Sequence, residues 1–195
     1  MRSDAVQRLR DCLQRRQRRI ADSLGARRAA VLVPLFGSRE SLKILFFERT
    51  HEVVEHKGEI CFPGGSLEPG DEGLVSAALR EAHEELALVP ADVQVLGMLD
   101  DVETHVTNYA ITPVVGYIEA MPALRLDPLE VARLIVVPLA KLFEPGVEAT
   151  EQREGAGTIR FMYSYSFDGN RVWGATGRIT RSLMDALRSE DEAAT

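Results

Sequence analysis

The chain has little cysteine and no long apolar run. Its two cysteines, Cys12 and Cys61, are too few for a disulfide framework or a cysteine zinc cluster, which fits a reducing compartment. No apolar run approaches the roughly 20 residues that a bilayer requires. The first 24 residues lack the apolar centre of a secretory signal, and the last residues carry no recognised address tag. We therefore expect a cytoplasmic protein with no membrane partner.

The charge of the chain is unevenly distributed. The net charge is −7, yet residues 1–28 hold nine arginines against three aspartates. The remainder is therefore strongly acidic, which argues against nucleic acid as a partner and suits metal-assisted chemistry. The basic head is interpreted either as the solvated face of a helix or as a contact for phosphate.

The length and the apolar spacing predict one domain with an amphipathic helix in front of it. A chain of 195 residues that is 45% hydrophobic can bury one full core. We expect a helix within residues 1–28, packed on a single domain at residues 29–190. Ser3 or Asp4 would cap this helix, and Gly25 would end it. Its apolar stripe would be Val6, Leu9, Leu13, Ile20 and Leu24.

Short apolar runs alternate with turn residues along the rest of the chain and predict a mixed sheet. A hairpin is expected around Asp168-Gly169-Asn170, and a final helix is expected after Thr176, with Ile179, Leu183 and Leu187 inward. Pro138 to Phe143 predicts a short helical turn. The predicted strands are 29–36, 42–47, 59–62, 93–99, 109–118, 131–137, 158–167 and 171–173.

The stretch from Gly58 to Leu88 organises the chain. Gly64-Gly65 allows close approach of the backbone to a ligand. A helix capped by Asp71 and stopped by Pro90 would follow, with Val75, Leu79, Ala82 and Leu86 as its core stripe. Helical spacing points Glu81, Glu84 and Glu85 the same way, on the other side from that stripe. Because like charges repel, a divalent cation among the three would turn this arrangement into a binding site.

Gly65 to Leu88 resembles the Nudix box. Arg80, Glu81, Ala82, Glu84, Glu85 and Leu88 stand where the family pattern places them. The loop has one extra residue, so the acidic position is Asp71 when counted from Gly65 and Glu72 when counted from Arg80. Ala87 stands in place of a glycine. The resemblance implies an α/β fold, a Nudix-type α/β/α sandwich with a mixed β-sheet between helices.

The residues upstream resemble one subfamily, the coenzyme A pyrophosphatases. The resemblance is carried by Phe62-Pro63-Gly64-Gly65, by Gly58, which precedes that turn with three residues between, and by Arg49-Thr50 and His56-Lys57-Gly58. Val54 stands where the subfamily often has an arginine. Glu130-Val131, Val137-Pro138-Leu139 and Trp173-Gly174-Ala175-Thr176 add to it. It implies hydrolysis of coenzyme A or acyl-coenzyme A to 3′,5′-ADP and (acyl-)4′-phosphopantetheine.

The resemblance also implies roles for individual residues. Mg²⁺, for which Mn²⁺ can substitute, would be held by Glu81, Glu85 and the Gly65 carbonyl, with Glu84 on a second ion or a bound water. Glu84 is the candidate base, with Glu103, Glu148, Glu151 and Glu154 as distant alternatives. Arg80 would orient the cluster. Arg49, His56, Lys57 and Gly64 are the candidate substrate-binding residues. Cys61 is expected to be a buried, inert thiol, and Trp173 to be in the core.

Two rival functions stay open on the sequence. The box alone equally permits a diphosphatase for ADP-ribose or a dinucleotide, and a Nudix-fold ligand sensor would be non-catalytic. The partner is expected to be a small molecule. A homodimer is an alternative, since the first helix could cover the core, form a dimer contact or meet the 3′-phosphate of the substrate.

Overall fold

A computed structural model of the chain describes residues 5–22, 25–37, 41–52, 57–104, 107–155 and 158–193. Four helices are present in these ranges, α1 Ala5–Arg15, α2 Leu74–Leu86, α3 Leu139–Leu142 and α4 Gly174–Ala193, with a 3₁₀ turn at Pro90–Asp92. The strands are β1 Arg27–Phe36, β2 Lys43–Arg49, β3 Ile60–Cys61, β4 Gly64–Ser66, β5 Gln94–Met98, β6 Val102–Thr104, β7 Tyr109–Ile118, β8 Val131–Pro138, β9 Glu148–Gly155, β10 Thr158–Phe167 and β11 Asn170–Val172.

Eight strands form one mixed sheet. The order β3-β2-β1-β7-β5 runs across it, with β4 paired to β1, β6 to β7 and β8 to β2. β1 and β7 are parallel over their whole length, from Arg27 opposite Tyr109 to Phe36 opposite Ile118. A separate antiparallel sheet has the order β11-β10-β9. In the part of the chain that the structure describes, no helix is both long and apolar enough to cross a membrane.

Alternate residues of β1 face two apolar layers, as the pleat of a strand requires. Ala30 and Leu32 pack against Ala78, Ala82 and Leu86 of α2. On the other face, Val33 and Leu35 belong to the layer that includes Leu9 of α1 and Leu183 of α4. The mixed sheet between helices, expected from the sequence, is confirmed.

The predicted first helix is too long. α1 ends at Arg15, and Ile20 is 64% exposed rather than on its apolar stripe. The backbone N–H groups of Arg19 and Ala21 donate to the carboxylates of Asp100 and Asp101, each at 3.0 Å. These carboxylates give the backbone a partner outside the helix, so the chain runs on without helical bonds. Ser3, Asp4 and Leu24 lie outside the described residues.

The other helix boundaries also differ from the prediction. α4 begins at Gly174, so Thr176 lies inside it and does not cap it. Gly73, not Asp71, is the N-cap of α2, where the Ser76 hydroxyl bonds the Gly73 backbone. α2 ends at Leu86, before Pro90, because Ala87 takes the left-handed conformation with φ 54°. Ala87 N–H then donates to the carbonyl of His83 at 2.8 Å.

The conformation of Ala87 predicts a stabilising substitution. A left-handed conformation costs a residue with a Cβ about 1 kcal/mol, and glycine does not incur this cost. Ala87→Gly is therefore expected to raise the free energy of unfolding by roughly 0.5–1 kcal/mol, measured by thermal and urea unfolding. Ala132→Gly, at an exposed position of β8, is the control and should lower it by a similar amount. The same sign for both substitutions would contradict this account.

Asp101 predicts a larger effect on stability. Its fully buried carboxylate accepts from Arg18, from Arg28 at 3.2 Å and from the Thr112 hydroxyl at 2.6 Å. Asp101→Asn would leave two arginines without their counter-charge, so urea unfolding should show a loss of about 3 kcal/mol. Asp11→Asn, which removes the exposed partner of Arg15, should cost less than about 0.5 kcal/mol. Equal losses would mean that Asp101 does not hold the segment after α1.

Candidate active site at the carboxyl end of α2

Two glutamates of α2 lie against the backbone of β4. Gly64 N–H donates to Glu85 Oε2 at 3.0 Å. A Cβ on Gly65 would overlap the carboxylate of Glu81, and a Cβ on Gly64 would overlap the Ala30 carbonyl of β1. Gly64 is therefore required because the backbone of β1 leaves no room for a Cβ, whereas a side chain at Gly65 would displace the Glu81 carboxylate from this turn.

Glu85 is inside the protein rather than on the outer side of α2. It is 3% exposed, and Arg49 Nη1 lies 3.7 Å from its Oε1. The pKa of the Glu85 carboxyl is raised to about 8, mainly by burial; the charges of Glu130 and Glu81 add to the rise, and Arg49 and the Gly64 N–H oppose it. Burial also raises the pKa of Glu81. A cation between these carboxylates would relieve the cost of both.

Glu84 lies apart from the other two glutamates. Its side chain is 57% exposed, compared with 17% for Glu81, and both accept from Arg80 Nη1, at 3.2 Å and 3.0 Å. The structure therefore brings Glu81 and Glu85 together at the glycines and leaves Glu84 in contact with solvent.

Arg80 joins the loop after β4 to α2. Its Nε and Nη2 donate to the two oxygens of Asp71 at 3.1 and 3.2 Å, and Nη2 also donates to the Ser66 carbonyl at 3.1 Å. The bond to Asp71 raises the pKa of Arg80, and the same bond lowers the pKa of Asp71. Asp71 rather than Glu72 is thus the acidic residue that faces Arg80. The position counted from Gly65 is therefore the one in contact with Arg80, and the extra loop residue lies between Asp71 and Arg80.

Arg49 lies between two glutamates from different segments of the chain, one on α2 and one in the loop before β8. Besides Glu85, it contacts Glu130, with Nη2 at 3.0 Å from Oε2.

The other residues singled out in this region have different outcomes. Lys57 is exposed, and His56 and Val54 lie outside the described residues. Burial raises the pKa of the neighbouring Cys61 to about 12, so its thiol stays protonated, in agreement with an inert role. Trp173 is 48% exposed and is not in the core.

Glu130 is the residue that the sequence interpretation missed as a member of the site. The loop before β8 turns back onto α2, where Asp127 N–H donates to the Glu85 carbonyl at 2.9 Å. Thr50 N–H donates to the Glu130 carbonyl at 2.9 Å and so fixes its backbone beside Arg49. The only signal in the sequence was its place in the Glu130-Val131 motif, to which no role was attached.

The distant alternatives for the base have other partners. Glu148 accepts from Arg188 of α4 at 3.1 Å, and Glu151 lies 3.5 Å from Arg171 of β11. At Glu103 the backbone carbonyl accepts from Arg178, a bond that does not involve the carboxylate. The side chain of Glu154 lies outside what the structure describes.

The donor set at the glycines suits a hard divalent cation. Glu81 and Glu85 offer carboxylate oxygens beside the Gly65 backbone, and such oxygens are the ligands that Mg²⁺ prefers. In the ranges that the structure describes, no three His, Cys, Asp or Glu side chains already surround one common metal position. The carboxylates of Glu81 and Glu85 and the Gly65 carbonyl are therefore the candidate ligands for such a cation.

A mixed sheet between helices, with paired glutamates packed on a glycine turn, defines an α/β protein with a carboxylate cluster suited to a divalent cation. The family model of the NUDIX domain matches residues 26–154. The chain therefore belongs to the Nudix family of hydrolases, whose members generally use divalent metals such as Mg²⁺ on small-molecule substrates.

Relatives and solved structures agree with this family. The "Uncharacterized Nudix hydrolase NudL" of Enterobacter sp. (strain 638) is 35% identical over 162 residues, which cover 83% of each chain. A MutT/nudix family protein from Enterococcus faecalis shares the fold at 14% identity with a TM-score of 0.57, over 89% of this chain and 66% of that one. An Ap4A hydrolase of C. elegans does so at 15% identity with a TM-score of 0.51, over 86% and 96%.

Glu85 predicts a pH-dependent stability in metal-free buffer. Its pKa rises from 4.5 in the unfolded chain to about 8 in the folded protein, so the folded state binds the proton more tightly. The contribution of Glu85 to stability is then full below pH 4.5 and is lost as the pH rises towards 8, a change on the order of 4 kcal/mol. Urea unfolding in EDTA at pH 5 to 8 measures this change.

Glu85→Gln is the control for this prediction, because it keeps the shape and removes the titration. The free energy of unfolding of the variant should lack the part of the pH dependence that Glu85 causes. At pH 8 it should be higher than that of the wild type. Adding Mg²⁺ at pH 8 should stabilise the wild type and leave the variant nearly unchanged. Parallel pH curves for the two proteins would show that Glu85 is not the group responsible.

Proposed function

We propose that the protein hydrolyses the diphosphate bond of coenzyme A or acyl-coenzyme A and releases 3′,5′-ADP and (acyl-)4′-phosphopantetheine. The observation that carries the proposal is the turn Phe62-Pro63-Gly64-Gly65, whose two glycines pack against Glu81 and Glu85. This turn belongs to the pattern, extending back to Gly58, that resembles coenzyme A pyrophosphatases. It therefore joins the residues that suggest the substrate to the residues that suggest the chemistry.

Glu81, Glu85 and the Gly65 carbonyl would hold Mg²⁺, or Mn²⁺ in its place. The bound ion supplies charge neutralisation for the diphosphate and polarises an attacking water. The acidic remainder of the chain could not hold a diphosphate without such neutralisation. Arg80 is a positioning residue in this proposal, since it ties Asp71, Glu81 and Glu84 into one geometry.

Two carboxylates are our candidates to accept the proton of the attacking water. Glu84 is exposed at the edge of the cluster and paired with Arg80. Glu130 comes from the loop before β8, is 43% exposed, and is held by Arg49. Glu84 is our first candidate because of its position in the box, and Glu130 is the alternative that the structure adds.

Arg49 and Lys57 are the proposed contacts for phosphate, with Gly64 allowing close approach of the backbone. Arg49 donates to Glu130 and approaches Glu85, so it already stands beside the proposed ligands. A planar guanidinium can pair with two phosphate oxygens at once, which suits a diphosphate. His56 stays a candidate for which the structure gives no position.

A substrate panel tests the proposal. The protein is incubated with Mg²⁺ and with coenzyme A, acetyl-coenzyme A, ADP-ribose, NADH or dinucleoside polyphosphates, and the products are identified by mass. Release of 3′,5′-ADP from the coenzyme A species alone is the expected result. Cleavage of ADP-ribose or of a dinucleotide without cleavage of coenzyme A would assign the rival substrate class. Absence of any cleavage would favour the ligand sensor.

Three substitutions test the roles of the glutamates. Glu85→Gln should lower kcat by orders of magnitude while the protein still folds, because a proposed metal ligand loses its charge. Glu84→Gln should lower kcat about 100-fold if Glu84 is the base, and should remove the acidic limb of the pH–rate profile. The same result for Glu130→Gln instead would transfer the role to Glu130. Glu72→Gln, exposed in the loop before α2, is the control of equal charge and should retain full activity.

A further inference from the structure

A cavity lies away from the glutamates of α2. Its volume is about 490 Å³, a size typical of sites for small ligands. Its walls come from the end of α1 and the segment that follows, from the turn before β6, and from α4. α1 and α4 pack on the sheet face opposite to α2, and neither Arg49, Glu81 nor Glu85 lines the cavity.

Arginines from both ends of the chain meet in this cavity. Arg16 and Arg19 enter from the segment after α1, and both bond the single carboxylate of Asp100. Arg178 and Arg181 enter from the opposite wall, on α4. The Glu103 carbonyl accepts from Arg178. Hydroxyl groups of Tyr163, Ser182 and Ser189 also line the space and can donate to a ligand.

The charge around the cavity is positive although the whole chain carries −7. The lining itself holds four arginines and three aspartates, Asp100, Asp101 and Asp185. Asp101 is matched by two arginines outside the lining, Arg18 and Arg28. Asp185 and the neighbouring Glu148 are matched by Arg181 and Arg188. The lining and these ion pairs together hold seven arginines and four carboxylates. An acidic protein has thus concentrated positive charge around one concave space.

We propose that this cavity binds a small phosphorylated anion. Each planar guanidinium group in these walls can pair with two oxygens of a tetrahedral phosphate, and the hydroxyl groups can donate to its remaining oxygens. Such an anion would complete the charge balance that Asp100 supplies in part to Arg16 and Arg19. The phosphate could belong to the substrate itself or to a separate metabolite, and the experiment below distinguishes these sources.

Binding is measured without metal and without turnover. Isothermal titration calorimetry in EDTA follows inorganic phosphate and 3′,5′-ADP as probes with the full-length wild type and two double variants. Arg19→Gln/Arg178→Gln removes one arginine from each wall. Arg15→Gln/Arg171→Gln removes the same total charge at exposed positions outside the cavity and is the control. Thermal unfolding checks that both variants fold.

The first double variant should bind at least one of the probes roughly tenfold more weakly or worse, because a charge-assisted bond is lost on each wall. The control should stay within about twofold of the wild type, since distant surface charges are largely screened. Equal weakening in both variants would attribute binding to net charge and overturn the proposal. Absence of binding of either probe to the wild type at millimolar concentration would also overturn it.

The source of the phosphate is assigned by kinetics, and this arm alone rests on the proposed function. If the cavity holds the 3′-phosphate of coenzyme A, the Arg19→Gln/Arg178→Gln variant should raise KM for coenzyme A and leave KM for 3′-dephospho-coenzyme A unchanged. If the ligand is a separate metabolite, both KM values should stay unchanged while the calorimetric binding is lost. Because the calorimetry needs no hydrolysis, failure of the proposed activity would leave the test of the cavity intact.

Discussion

The hydrogen bond from Gly64 N–H to the buried carboxylate of Glu85 is the interaction on which the site depends. It joins β4 to the last turn of α2, and the backbone of the same turn is held from the other side by Asp127. Burying a carboxylate is costly unless donors and opposite charge surround it. Gly64 and Arg49 meet part of that cost, and a divalent cation beside Glu81 would meet more of it. The fold and the proposed chemistry therefore require the same residues.

The parts of the site that were predictable from the sequence are those fixed by local spacing. Glu81 and Glu85 are four residues apart and therefore share a face of any helix. Gly64-Gly65 indicated a close approach of the backbone to another group. Spacing alone could not show that Glu84 would lie in solvent, because the packing of α2 on β1 decides which glutamate is buried. Nor could counting along a loop with an extra residue decide between Asp71 and Glu72. The bidentate hydrogen bond from Arg80 to Asp71 identifies Asp71 as the acidic residue.

The features that were missed all rest on contacts between distant segments. Ile20 and Leu24 continued an apolar stripe at helical spacing, yet Asp100 and Asp101 bind the backbone after α1 and end the helix early. β9 has Ala149 as its one apolar side chain, so no alternation marked it, and its pairing with β10 makes it a strand. Glu130 is about 45 residues from Glu85 and reaches it only through the loop that returns to α2.

The division of charge along the sequence becomes a division between the two faces of the sheet. Some arginines of the basic head are in ion pairs rather than on a solvated stripe. Arg16, Arg18 and Arg28 bond Asp100 and Asp101 on the α4 side. The glutamates of α2 gather on the other face. Attraction between positive and negative charge weakens steeply with intervening distance and solvent, so each face can hold its own sign with little mutual cancellation. A chain with net charge −7 can in this way present a cation-seeking site and an anion-seeking cavity at once.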